Sequence, residues 1–109
     1  MLIATTDRIP GHEVIEVLGL VQGNTIRARH LGRDIMAGLR NVVGGEIRDY
    51  TQMLTEARQL AIQRMVKEAE RLGADAILGV RLATAQTMAG AAEVLAYGTA
   101  VRLKRAASA

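Results

Sequence analysis

The side chains best suited to chemistry in this 109-residue chain are a few charged groups placed on or beside apolar segments. Arg58 flanks the apolar stripe of a predicted helix, Arg81 is expected on the strand face of Ile77, and Glu93 opens a strand pattern. A buried ion pair between either arginine and Glu46 or Glu93 would be costly unless its polar atoms were well satisfied. A salt bridge at an interface or a cap explains such residues more simply than a ligand site does.

Metal binding has few candidate ligands here. The chain has no Cys, so thiolate sites for soft metals are excluded. His12 and Glu13 are adjacent at a strand start and therefore face opposite sides, while His30 lies in an arginine-rich stretch. His12 and Glu46 remain as candidate ligands for a divalent or heavy metal, but the residues alone predict no cofactor.

Catalytic motifs are also missing from the sequence. The only serine is Ser108 near the C-terminus, and no nucleophile has a base at a recognisable spacing. The Gly44-Gly45 pair could expose backbone N–H groups to an anion, but Glu46 directly after it would repel that anion. A tight turn is the simpler interpretation, and we predict that the protein is not an enzyme.

The charge and hydropathy of the sequence limit which binding partners and which cellular compartment we expect for the protein. The net charge is +3, and the basic residues are mostly scattered, which disfavours nucleic acid as a partner. Asp7 comes too early for a signal-peptide core, and no apolar run is long enough to cross a bilayer. We therefore expect a cytoplasmic protein with no membrane contact, built as one domain over residues 1–109 with a disordered tail from about residue 105.

The core must be assembled almost without aromatic side chains. The sequence has no Trp and no Phe, and Tyr50 and Tyr97 are its only aromatic residues. Since aromatic residues bury about 150–250 Å² each, a chain without them gains disproportionately from burying surface against copies of itself. This favours a homo-oligomer.

The first half of the chain changes from a strand pattern to a helical one. A short apolar strand is expected over residues 2–6 and a longer one over 12–22, with a bulge or bend at Gly19. Gly23-Asn24 predicts a turn, and residues 25–28 predict a short returning strand. From Leu31 to Val42 the apolar spacing predicts a first, shorter helix.

The second half predicts a long helix followed by two strands. Asp49 has the position of a helix cap, and Gly73 is placed to end the helix in a left-handed conformation. Residues 75–82 predict a buried strand, 84–91 a strand end and turn, and 93–104 an alternating strand whose small face leaves room for a helix. The fold class is α+β, with the helices on one face of a largely antiparallel sheet.

Several short blocks of the sequence together resemble a known family. They are Thr5-Thr6, Ile9-Pro10-Gly11, Leu18-Gly19-x-Val21-x-Gly23, Gly44-Gly45-Glu46, Tyr50-Thr51, Ala57-Arg58, Arg64-Met65, Leu72-Gly73-Ala74-Asp75-Ala76-Ile77 and Ala96-Tyr97-Gly98-Thr99-Ala100-Val101. In this order and spacing they resemble the YbjQ-like family of small bacterial and archaeal proteins, which is often labelled heavy-metal-binding.

The resemblance implies a dodecin-like subunit that assembles into a ring, a homopentamer, with no established activity. Carried over to this chain, it implies that Glu46, Arg58 and Glu93 line any functional cleft, located between subunits. The alternative is a heavy-metal-binding protein in which Glu46, Glu93 or His12 from several subunits complete one site.

Overall fold

The computed structural model describes residues 1–27, 48–88 and 91–106, which form a four-stranded sheet with a long helix on one face. The elements are β1 (Leu2–Ile3), β2 (His12–Arg27), α1 (Arg48–Arg71), β3 (Ala76–Met88) and β4 (Ala91–Arg105). The strand order is β1-β3-β4-β2, with β4 antiparallel to β2 and β3, and β1 parallel to β3. The α+β class is confirmed, with a mixed sheet.

Four predictions concern the edges of the described ranges or the residues between them. The shorter helix expected over residues 31–42 and the Gly44–Glu46 turn lie outside the described residues. The capping role expected of Asp49 depends on a side chain that also lies outside them. Arg105, expected to begin the tail, is the last residue of β4, and the Ala106 N–H donates to the Gly11 carbonyl at 3.0 Å.

The long helix α1 follows the predicted amphipathic pattern. Its buried residues recur at every fourth position: Met53, Ala57, Ala61, Met65 and Ala69. The helix ends in a Schellman motif, in which the Ala74 N–H donates to the Ala69 carbonyl and the Gly73 N–H to the Glu70 carbonyl. Gly73 has the predicted positive φ, 78°.

Small residues on the sheet let α1 lie close to it. Ala96, Gly98 and Ala100 of β4 are buried beneath the helix, as the alternation predicted. Gly23 of β2 also lies under α1, where a Cβ would collide with the Ala61 carbonyl oxygen. We call this side of the sheet the helix face and the opposite side the far face.

The far face is covered at one end by the N-terminal segment. Ala76, Leu78 and Val101 form a second buried cluster there, against which Ala4 and Ile9 pack. The segment is held by backbone hydrogen bonds to β3, including Ala4 N–H to the Ile77 carbonyl at 2.9 Å. The rest of the far face has no such cover from the described residues.

The predicted ends of two strands, β2 and β3, were wrong. β2 continues through the expected Gly23-Asn24 turn. Gly23 pairs with Ala96 in the sheet, and because it has no side chain, α1 can lie close to the strand there. β3 runs on to Met88 instead of ending near Thr84, because it pairs with β4 along almost its whole length. The predicted irregularity at Gly19 is confirmed by a register shift and a φ of 127°.

A bulge at Gly79 places Arg81 differently from the sequence prediction. Gly79 has a φ of 62°, and the register of β3 on β4 shifts between Leu78 and Arg81. The extra residue moves Arg81 to the far face, opposite Tyr97, whereas Ile77 stays on the helix face.

Among the described residues, no helix is long and apolar enough to span a membrane.

Candidate functional site

An open groove with a volume of about 510 Å³ lies beside α1. It exists because α1 lies mainly over β2 and β4 and leaves the β1–β3 edge of the helix face uncovered. It is lined by Ile3, Ala4, Thr5, Ile62, Val80, Arg81 and Leu82. We call it the edge groove.

The floor of the edge groove is apolar and partly open to solvent. Leu82 is 46% exposed and Ile3 is 44% exposed, although both are large aliphatic residues. Ile62 of α1 is half-buried along the opposite wall. Such a surface is suited to apolar contacts, since removing aliphatic area from water is favourable.

Arg81 fixes the backbone at one end of the groove. Its Nη1 donates to the Thr5 carbonyl at 2.9 Å and to the Val80 carbonyl at 3.0 Å. The N–H groups of Gly79 and Val80 in turn donate to the carbonyls of Thr6 and Ala4. Arg81 therefore ties the N-terminal segment to β3, and its side chain is exposed.

Arg58 is not among the residues that line the edge groove, but it lies on α1 close to one of them. It is exposed and precedes Ile62 by four residues, so both side chains are on the side of α1 that faces β3. The opposite side of the helix faces β2, where Arg64 Nη1 donates to the Asn24 carbonyl at 2.7 Å. Arg58 is thus a cationic group one helical turn from a residue that lines the apolar groove.

Glu93 lies on the other side of the sheet from Arg58. Its neighbour Val94 is fully buried under α1, and alternate residues of a strand point to opposite faces. Glu93 is therefore on the far face, half-buried between its cross-strand partners Ile26 and Ala85. The fold does not bring Arg58 and Glu93 together within one subunit, and Glu46 lies outside the described residues.

His12, the other candidate metal ligand, sits at the start of β2. It is exposed, its Nδ1 lies 3.2 Å from the Pro10 carbonyl oxygen, and its cross-strand partner is Arg105. Among the residues that the structure describes, no three His, Asp or Glu side chains are grouped closely enough to hold a metal ion. With no Cys in the chain, the described residues do not fit a heavy-metal site within one subunit.

A second apolar surface lies on the far face along β2, an edge strand of the described sheet. Val17 and Leu20 are each 66% exposed, and they pair across the sheet with Val101 and Thr99. Tyr97 is 36% exposed on the same face. We call Val17, Leu20 and Tyr97 the far-face patch; Val14 and Ile26 extend the exposed apolar surface along the strand.

Sequence reasoning identified neither the edge groove nor the far-face patch. The apolar β2 run was visible, but two bulges change which of its residues face the helix. The groove depends on where α1 lies across the sheet, which no local pattern encodes. The missing aromatic residues, and a sheet with helices predicted on one face alone, were the sequence signals that apolar surface would be left uncovered.

The sequence comparisons place the chain among uncharacterised proteins. Residues 1–104 match the model of the YbjQ-like family, described as "Putative heavy-metal-binding". A UPF0145 protein of Archaeoglobus fulgidus is 62% identical over 104 residues, covering 95% of this chain and 96% of the relative. A UPF0145 protein of Pseudothermotoga lettingae is 58% identical over 105 residues, covering 96% and 99%.

A solved structure has the same fold. The crystal structure of a protein of unknown function from Pediococcus pentosaceus, assigned to the DUF74 family, matches with a TM-score of 0.63. The two chains are 19% identical, and the match covers 95% of this chain and 98% of the other. At this identity the likeness is one of fold alone.

Proposed function

From the premise that this chain belongs to the YbjQ-like family of UPF0145 proteins, we propose that it is a non-enzymatic homo-oligomer, a ring of five subunits, whose inter-subunit clefts bind a small ligand. The number five comes from the family resemblance. The names of the relatives indicate no reaction, and the sequence has no nucleophile with a base at a recognisable spacing.

The observation that carries this proposal is the amount of surface that the isolated subunit exposes. Its accessible surface is 7524 Å², whereas a folded monomer of this mass exposes about 5,900 Å². The radius of gyration is 17.9 Å, compared with about 13 Å for a compact domain of this length. A subunit with this much exposed surface has area available for burial against copies of itself, on the scale of standard interfaces of about 800 Å² per partner.

The ligand-binding half of the proposal rests on Arg58. A guanidinium one helical turn from an apolar groove would offer several N–H donors to an anionic or polar group while the groove accepts an apolar body. Because the groove is open, a neighbouring subunit would be needed to enclose a ligand there. Glu93, on the opposite face, would then belong to the adjacent subunit's side of the cleft.

Native mass spectrometry of the untagged, unheated protein tests the proposed assembly and the proposed ligand binding together. We expect a single oligomer that carries additional mass, and loss of that mass without loss of subunits in Arg58→Ala. Arg71→Ala, an exposed arginine in the last turn of α1, is the matched control and should keep the mass. A monomer would contradict the assembly, and an empty oligomer in every preparation would contradict the bound ligand.

A further inference from the structure

We infer that the edge groove binds an aliphatic carboxylate, with Arg81 pairing with the carboxylate group and the apolar lining covering the chain. This inference rests on the proposed function, which gives the protein a small ligand, and it names the chemical class of that ligand. Among the described residues that line the groove, Arg81 has the one charged side chain. The complementary ligand is therefore an anion with an apolar body.

The guanidinium of Arg81 is held at the wall of the groove. Its Nη1 donates to the Thr5 carbonyl at 2.9 Å and to the Val80 carbonyl at 3.0 Å, and both of these residues also line the groove. Because two backbone carbonyls already hold the group in place, binding a ligand costs less side-chain entropy here than at a freely moving arginine.

The rest of the Arg81 guanidinium is open to a ligand. Neither Nε nor Nη2 donates a hydrogen bond to a described residue. The ion pairs printed by the described strands join Arg102 to Glu16 and Lys104 to Glu13, and Arg81 takes part in neither. The Nε–H and one Nη2–H of a guanidinium point in the same direction and match the two oxygens of a carboxylate.

The apolar lining fits an unbranched alkyl chain. Val80 packs against the helix-face core, and its Cγ2 lies 3.2 Å from the position that a Cβ on Gly98 would take. Ile3 and Leu82 are each close to half exposed, so both have aliphatic area to bury against a chain. The groove volume of about 510 Å³ falls within the range of about 300–1,000 Å³ that is usual for small-molecule sites.

Cationic groups stand on two sides of the groove. Arg58 lies on α1, one turn from Ile62, and Arg81 lies on β3. No carboxylate side chain occurs among the described residues that line the groove, so neither charge is offset there. Both arginines favour an anion over a neutral or cationic ligand, and the direct pairing is assigned to Arg81 because it is itself a lining residue.

A series of ligands tested on the unmodified protein examines the ligand class. Sodium octanoate should bind in isothermal titration calorimetry, and octan-1-ol should bind about tenfold more weakly, because it has the same chain without the charge-assisted hydrogen bonds. Hexanoate, which is two methylene groups shorter, should bind roughly 4- to 15-fold more weakly than octanoate. Equal affinities for octanoate and octan-1-ol would overturn the inference.

NMR spectroscopy of protein labelled with 15N-arginine identifies the group that pairs with the carboxylate. The Nε–H resonance of Arg81, assigned by its loss in Arg81→Lys, should shift when octanoate is added and stay in place with octan-1-ol. The Nε–H resonance of Arg64 should not shift, since Arg64 lies on the side of α1 that faces β2. An Arg81 resonance that octanoate leaves unchanged would overturn the pairing.

Arg81→Lys separates pairing with the carboxylate from the structural role of Arg81. The ammonium group keeps the charge and a donor for the Thr5 carbonyl but lacks the planar fork, so octanoate should bind about fivefold more weakly. Hydrogen exchange at the Gly79 amide should stay unchanged and show that the N-terminal segment is still held. Arg64→Lys, which changes another exposed arginine that donates to a backbone carbonyl, should keep the full affinity.

The outcomes distinguish this inference from the proposed function. Octanoate affinity that is unchanged in Arg81→Lys would overturn the role of Arg81. If that variant opened the N-terminal segment, the Arg81 resonance in the unmodified protein would still decide. An oligomer that carries another bound mass but does not bind octanoate would overturn the ligand class and leave the proposed function standing. A monomeric protein would overturn the assembly, whatever the octanoate titration shows.

Discussion

Gly23 of β2 lies directly beneath Ala61 of α1, so close that a Cβ on Gly23 would strike the Ala61 carbonyl oxygen and the Met65 backbone nitrogen. Both obstructing atoms belong to the helix backbone and cannot turn aside as a side-chain end could. The absence of a side chain at this one position therefore sets the distance between the helix and the sheet.

Gly23→Ala should destabilise the protein strongly. Overpacking a core costs about 1–3 kcal/mol in the free energy of unfolding, and we expect a value at or above the upper end because α1 must move as a unit. Urea denaturation at a fixed protein concentration measures it. Gln22→Ala, at the exposed neighbouring position, should change the free energy by less than about 0.5 kcal/mol. If both variants were equally stable, α1 would have to lie farther from β2 than the structure shows.

The buried hydroxyl of Thr25 contributes a second contact between β2 and α1. Thr25 is 4% exposed, and its Oγ1 donates to the Ala57 carbonyl at 3.1 Å. Thr25→Val keeps the shape but removes the donor, so we expect a loss of about 1 kcal/mol in the free energy of unfolding. Thr25→Ser retains the donor and loses a methyl group instead. Infrared spectroscopy of a 13C-labelled Ala57 carbonyl should shift in the valine variant alone; no shift would contradict the hydrogen bond.

Arg81 is expected to hold the N-terminal segment against β3. Removing its guanidinium in Arg81→Ala eliminates the hydrogen bond to the Thr5 carbonyl, worth about 1 kcal/mol, or about a fivefold change in a local opening equilibrium. Hydrogen exchange at the Gly79 and Val80 amides, which bond to this segment, should accelerate by about that factor. The Ala61 amide in α1 serves as the internal control, and uniform acceleration at all three sites would indicate global destabilisation instead.

Arg58 and Glu93 should be coupled across the subunit boundary. Arg58→Glu places two carboxylates opposite each other, and we expect about a fivefold weaker assembly, consistent with about 1 kcal/mol for an exposed pair. The double variant with Glu93→Arg should recover the original affinity, as measured by dilution in analytical ultracentrifugation. High salt should reduce both effects. Additive effects of the two single changes would argue against their proximity.

The described residues predict little metal binding despite the family's description. A zinc site takes four protein ligands when structural and three when catalytic, and no group of three His, Asp or Glu occurs among the described residues of one subunit. After incubation with Zn²⁺ or Cd²⁺ and desalting, we expect well below one ion per subunit by inductively coupled plasma mass spectrometry. A stoichiometric ion that is lost in Glu46→Gln would instead favour a site completed by several subunits.

The local sequence pattern was sufficient to predict the elements that have a strong apolar periodicity or that need a glycine at one position. The apolar positions of α1, its end at Gly73 and the small face of β4 all follow from side-chain spacing or from the φ that only glycine adopts readily. The family resemblance followed from the same short blocks. These features are determined within a few residues along the chain.

Tertiary structure decided what those elements leave exposed. The bulge at Gly79 turned Arg81 to the far face, and pairing with β4 carried β2 through Gly23 where the sequence suggested a turn. The position of α1 over β2 and β4 created the edge groove, and the alternation of β4 put Glu93 on the side of the sheet opposite α1. Each of these relationships depends on contacts between residues far apart in sequence. The free energy of such contacts cannot be read from the pattern of any one segment.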